Sequence, residues 1–243
     1  MWVKVCGVRD RAAAVKIAEL GADAIGLNFY SRSPRFVEPE IAVEIAQALP
    51  EGVERIGVFV NHPIRNIERI AAECHLDVLQ LHGDEPPSYL ADLQRRLPGI
   101  RTVRAWRMAK NLDGLGAYLK ECRQWNCELA GCLVDAQVDG SYGGSGKTVP
   151  WERLVREYRF DKWPPLILAG GLTATNVADA ISVAHPWGVD VASGVESSPG
   201  VKDLALVEQF VRQAKSTADT PIASESAAES APNSGTKGHQ PPE

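Results

Sequence analysis

Ala130-Gly-Cys-Leu-Val-Asp135 is an apolar run of strand length that ends on one carboxylate, and Gly140-Ser-Tyr-Gly-Gly-Ser-Gly146 follows it with four glycines in seven residues. A buried strand that closes on a lone acid and opens into a small-residue loop packs poorly. The same arrangement suits an acid held rigidly at a pocket mouth, beside backbone that approaches an anion closely. A surface Asp ahead of an unstructured loop fits this stretch equally well. The flanking sequence decides between the two.

Outward from this stretch, apolar runs of strand length alternate with helical patterns along almost the whole chain. Strands are expected over 2–6, 23–28, 55–60, 77–81, 100–106, 129–134, 165–169 and 188–192. Helices are expected over 11–20, 39–49, 63–74, 86–97, 112–122, 151–158, 173–183 and 202–214. Gly21 stops the first helix, prolines open several others, and Thr173 or Thr175 is the expected cap of the seventh. Strict strand–helix alternation with short connections implies a parallel sheet covered by helices. Eight units in this length imply a single closed (β/α)8 (TIM) barrel over residues 1–215. An open doubly wound sheet is the alternative. It fits less well because special residues follow most strands and do not gather at one switch point.

Composition sets the outer limits. The chain has 243 residues, 44% of them hydrophobic, and a formal net charge of −5. That balance argues against a general nucleic-acid surface and leaves room for a local anion pocket. No apolar run is long enough to span a membrane, and Met1-Trp-Val-Lys-Val-Cys-Gly7 reads as a strand rather than a signal peptide, so a cytoplasmic protein is expected. The five cysteines (Cys6, Cys74, Cys122, Cys127, Cys132) are odd in number and match no zinc spacing, so neither a disulfide framework nor a metal is expected. From Ser216 to Glu243 the sequence is rich in Ser, Ala, Glu and Pro and reads as a disordered tail.

In a barrel the residues after each strand share one mouth. Here they are Cys6, Asn28 with Arg35, Asn61, Gln80 with His82, Arg104 and Arg107, Asp135, Gly170-Gly171 and Ser193-Gly194. Three glycine loops (Gly143 to Gly146, Gly170-Gly171 and Ser193-Gly194), two of them after strands seven and eight, point to a phosphate site. Cys6 and Asp135 close strands on opposite sides of the mouth. A thiolate can take a proton from carbon, and a carboxylic acid can protonate a leaving oxygen. Lys4 shares a strand face with Cys6 and can favour its thiolate, or can pair with a carboxylate for structural reasons. A buried, idle thiol is the competing reading of Cys6. Arg35 suits a substrate carboxylate. His82 is either a pocket hydrogen-bonder or a plain loop residue.

Taken together, several stretches closely resemble the phosphoribosylanthranilate isomerase family of tryptophan biosynthesis. They are Lys4-Val-Cys-Gly7, Asp23-Ala-Ile-Gly-Leu-Asn-Phe29, Ser31-Arg-Ser-Pro-Arg35, Gly57-Val-Phe-Val-Asn61, Leu79-Gln-Leu-His-Gly83, Leu133-Val-Asp135, Gly144-Ser-Gly146, Leu168-Ala-Gly-Gly-Leu172 and Ser193-Gly-Val-Glu196 with Pro199-Gly-Val-Lys-Asp203. The resemblance implies an Amadori rearrangement of a phosphorylated small molecule with no cofactor and no metal. It implies Asp135 as general acid, Cys6 as general base, and Arg35 at the anthranilate carboxylate. It places Gln80, His82, Gly144, Ser145, Gly146, Gly170, Gly171, Ser193 and Gly194 around the substrate. A monomer and a homodimer are both compatible with it. The chain departs from the family pattern at Lys147-Thr-Val-Pro-Trp151, where an aromatic usually follows the glycine loop. Other phosphosugar-binding barrel enzymes, and a non-catalytic phosphosugar-binding protein, are the competing functions.

Overall fold

A computed structural model of the chain describes residues 1–108, 111–136 and 150–218. The strands are β1 (Trp2–Cys6), β2 (Ala24–Asn28), β3 (Glu54–Phe59), β4 (Val78–Leu81), β5 (Arg101–Met108), β6 (Gly131–Ala136), β7 (Leu166–Leu168) and β8 (Gly188–Val191). They pair in sequence order, and β8 pairs back onto β1 to close the barrel. Every barrel pairing is parallel. The helices between and after them are α1 (Arg11–Glu19), α2 (Pro39–Ala48), α3 (Ile64–Glu73), α4 (Pro87–Arg96), α5 (Asp113–Gln124), α6 (Trp151–Glu157), α7 (Val177–Ala184) and α8 (Leu204–Ala218). The (β/α)8 barrel expected from sequence is therefore the observed fold.

The local reasons follow the sequence. Asp10 caps α1 by accepting the Ala13 N–H at 2.8 Å, and Gly21 follows that helix in the left-handed region at φ 94°. Pro39 and Pro87 open α2 and α4 at positions where a missing N–H costs nothing. The buried faces of α3 (Ile67, Ile70, Ala71) and α5 (Leu115, Tyr118, Leu119, Cys122) repeat at three- and four-residue spacing.

Two layers of core result. Ala24, Ile56, Val78, Val103, Ala105, Leu133, Ile167 and Ala169 fill the barrel interior. A larger shell, including Val3, Val5, Ile25, Leu27, Leu90, Leu115 and Phe210, packs the outer strand faces against the helices. Alternation along β1 sends Val3 and Val5 outward and leaves Lys4 and Cys6 on the inner face.

Three features differ from the sequence reading. Helix α7 starts at Val177, after Asn176, so neither Thr173 nor Thr175 caps it. Helix α8 continues through Ala218, past the boundary expected at Ser216, and residues 219–243 lie outside the described part. A two-stranded antiparallel hairpin, β9 (Glu196–Ser198) with β10 (Val201–Lys202), precedes α8. It was not foreseen because its strands are too short for alternation to register. Among the described residues no helix is long and apolar enough to cross a membrane.

Leu133 is fully buried in the interior layer. Leu133→Ala should lower the unfolding free energy by about 2–5 kcal/mol, read from urea denaturation. A loss well under about 1 kcal/mol would mean the barrel interior is not close-packed there.

Candidate active site

The C-terminal ends of the strands surround one pocket. Cys6, Arg35, Gln80, His82, Asp135, Gly170, Gly171 and Ser193, each singled out from sequence, line it. Gly144, Ser145 and Gly146 lie outside the described residues, as does the Lys147-to-Val149 departure. Gly194 sits behind the wall. A Cβ there would lie 1.8 Å from the Leu172 carbonyl oxygen, so the loops after β7 and β8 meet backbone to backbone, and only glycine permits it. Gly170 and Gly171 take positive φ of 85° and 64°. Asn176 pins this turn: its side chain accepts the Thr173 N–H at 2.8 Å and donates to the Gly171 carbonyl at 3.0 Å.

Cys6 and Asp135 face the same cavity from β1 and β6. The β1–β8 register sets Lys4 directly opposite Asp190, and the two form a buried ion pair at 2.9 Å. Lys4 therefore has a carboxylate partner, as one reading of it expected, and also neighbours Cys6. Burial works against the Lys4 ammonium, but Asp190 and Cys6 outweigh it and the net shift is upward. For the Cys6 thiol, burial dominates and pushes it above its ordinary value; Lys4 opposes that rise and Asp190 adds to it. Sequence reasoning missed Asp190. Its signal was an acid alternating with valines inside a strand, in Gly188-Val-Asp-Val191.

His82 is buried and belongs to the pocket wall, so it is more than a loop residue. The Gln80 amide nitrogen lies 3.0 Å from His82 Nδ1. Burial, with help from Lys4, Arg107 and Arg104, depresses the imidazole to about 3. A neutral ring that accepts at Nδ1 carries its proton on Nε2. That nitrogen is 3.8 Å from Asp135 Oδ2, so the ring turns its donor toward the acid.

Other residues expected at the mouth do different work. Arg104 points outward, not into the pocket. It bonds the Leu81 carbonyl at 2.9 Å, the Gly83 carbonyl at 2.9 Å and Glu85 at 3.0 Å, and lies over the Tyr118 ring. Asn61 takes a left-handed φ of 51° and its N–H donates to Glu85 at 2.7 Å. Arg107 reaches the His82 carbonyl at 3.4 Å and pairs with Asp84. These contacts shape the loop after β4 and leave the pocket to its neighbours. Cys122, Cys127 and Cys132 are buried, and no group of three His, Cys, Asp or Glu among the described residues is placed to hold a metal ion.

Residues 3–213 match the family model described as N-(5'phosphoribosyl)anthranilate (PRA) isomerase. The chain belongs to the phosphoribosylanthranilate isomerase family. A relative of that name from Geobacter metallireducens is 41% identical over 215 residues, which cover 88% of this chain and 98% of the relative. One from Moorella thermoacetica is 44% identical over 225 residues, covering 91% and 94%. Among solved structures, the isomerase from Thermotoga maritima superposes with a TM-score of 0.78 at 35% identity, covering 89% of this chain and 99% of that one. A further isomerase structure, in complex with reduced 1-(o-carboxyphenylamino)-1-deoxyribulose 5-phosphate, gives a TM-score of 0.75 at 35% identity, with the same coverage. The isomerase family match runs from β1 into α8 and so takes in every strand that bounds the pocket.

The low His82 value sets a pH expectation with a defined sign. In the unfolded chain His82 protonates near its ordinary 6.5, whereas in the fold it stays neutral to about 3. Its contribution to stability is therefore present above about 6.5 and is lost as pH falls toward 3. In His82→Gln the stability should fall less steeply across that window, read by chemical denaturation at stepped pH. An imidazole midpoint near 6.5 by NMR would contradict the burial argument.

Proposed function

We propose that this chain catalyses the family's reaction, the intramolecular Amadori rearrangement of N-(5-phosphoribosyl)anthranilate to 1-(2-carboxyphenylamino)-1-deoxyribulose 5-phosphate, a step of tryptophan biosynthesis in the cytoplasm. One observation carries the reading: Cys6 and Asp135 open onto a single pocket whose rim is the paired glycine turns after β7 and β8.

In this reading Asp135, as the carboxylic acid, protonates the furanose ring oxygen. The anthranilate nitrogen pushes that oxygen out, and the ring opens to a protonated Schiff base. The Cys6 thiolate then removes the proton from the sugar C2, giving the neutral enolamine, which tautomerises to the ketone. One proton is given and one is taken, so the substrate's own balance closes, and exchange with water resets the two groups. The neutral His82, its Nε2 3.8 Å from Asp135, lies beside the carboxyl without competing for its proton. The turns at Gly170-Gly171 and Ser193-Gly194 face the phosphate. Arg35 on the pocket wall meets the anthranilate carboxylate. Gln80 holds His82 in place. The Lys4–Asp190 pair brings an ammonium beside the thiol, where it stabilises the anion formed when Cys6 ionises.

Cys6→Ser and Asp135→Asn should each lower kcat by about 10²–10⁴-fold with an unchanged circular dichroism spectrum. Turnover is followed by the fluorescence of freshly generated substrate. Near-wild-type rates in both variants would end this assignment.

Because the Cys6 thiol titrates above its ordinary value, kcat/KM should climb with pH toward that ionisation. Lys4 lowers it most, ahead of Lys202, so Lys4→Met should move this limb to higher pH in the protein that remains folded. A limb that stays put or moves down would show that Lys4 does not act on the base.

A further inference from the structure

Arg35 is not a free cation waiting for substrate. Its Nε donates to Glu196 Oε1 at 2.8 Å and its Nη2 to Glu196 Oε2 at 2.7 Å, in a two-pronged contact that fixes the plane of the guanidinium. Both side chains are largely buried, Arg35 at 11% and Glu196 at 4% exposure. Arg35 also lines the pocket. Five N–H groups in a planar fork allow one carboxylate on each edge.

Glu196 has a second cation. Lys202 Nζ donates to Glu196 Oε1 at 2.8 Å and to the Ala192 carbonyl at 3.0 Å. Ala192 leads directly into Ser193-Gly194. Burial disfavours the Glu196 carboxylate, but its bonds to Arg35 and Lys202 outweigh that cost and hold it ionised. The backbone is gripped as well. Arg9 Nη1 donates to the Pro34 carbonyl at 3.1 Å, and Gly200, in the turn between β9 and β10, presses on that same carbonyl: a Cβ there would sit 2.6 Å from it. Gly200 also takes a φ of 83°. The hairpin thus clamps the Pro34-Arg35 segment by side chain and by main chain.

We propose that Glu196 is a positioning residue: it sets the Arg35 guanidinium on the pocket wall in the orientation that receives the substrate's carboxylate, and through Lys202 it joins that grip to the loop facing the phosphate. The inference rests on the reading of Arg35 given under Proposed function. It assigns the β9–β10 hairpin a purpose: one carboxylate spans the two charged ends of the same ligand. Glu196 touches neither reacting carbon, so its effect falls on binding and alignment more than on proton transfer.

The test measures binding of the reduced product and of its counterpart made from aniline, which lacks the carboxylate, by calorimetry on the full chain. Arg35→Met, Glu196→Gln and Glu196→Asp are compared with the native protein. Glu196→Gln should weaken the carboxylated ligand about tenfold or more and the aniline ligand no more than about twofold. Glu196→Asp, which keeps the charge on a shorter arm, should recover part of the loss. In turnover the change should appear mainly in KM. Equal weakening of both ligands by Glu196→Gln, beside a selective Arg35→Met, would reduce Glu196 to a scaffold residue and overturn this inference alone. An unselective Arg35→Met would remove Arg35 from the carboxylate and the inference with it, while the Cys6 and Asp135 variants judge the chemistry independently. Thermal melts confirm that each variant is folded before it is scored.

Discussion

Barrel closure brings Lys4 and Asp190 together. When β8 docks beside β1, residues separated by most of the chain become Cα partners and their side chains form a buried ion pair. Two charges taken out of water are costly, and the pair repays that cost only if the geometry is good. Replacing both with apolar side chains would give a simpler barrel interior. Beside the pair lies Cys6, and the Lys4 ammonium opposes the rise that burial imposes on its thiol. Closure of the barrel thus also fixes the cation that neighbours this thiol.

A second buried ionic knot, Arg35–Glu196–Lys202, ties the loop after β2 to the β9–β10 hairpin. The two knots share a logic. In each a carboxylate holds a cation at the pocket, so that a long flexible side chain loses its freedom during folding and not during binding. A third pair, Arg104–Glu85, does the same for the loop after β4 but faces the helices. The mouth is therefore stiffened by charge pairs on three flanks. The glycine turns after β7 and β8 stay small enough for backbone to meet backbone.

Much of this arrangement was legible in the chain. The fold was readable because eight apolar runs alternate with helical patterns at nearly constant spacing, and parallel strands buried on both faces show as continuous apolar stretches. Cys6, Gln80, His82, Asp135, Gly170, Gly171 and Ser193 were readable because a barrel assigns every strand end to one mouth. The same rule overreached at Arg104 and Asn61. Alternation turns a side chain at a strand end inward or outward, and an error of one residue in the expected end reverses it. Helix α7 was misplaced for a related reason: Thr173 and Thr175 resemble caps, but Asn176 spends its side chain on Gly171 and delays the helix.

By itself the sequence determined the order of elements, the closed sheet and the types of group brought to the mouth. All of these follow from periodicity and from the chain direction of parallel strands. Only the tertiary structure decided which charges neutralise each other. Lys4 with Asp190, and Arg35 with Glu196, are 186 and 161 residues apart. Nothing in local pattern names such partners, because an ion pair in a barrel depends on strand register and loop packing, and those are settled only when the last strand meets the first.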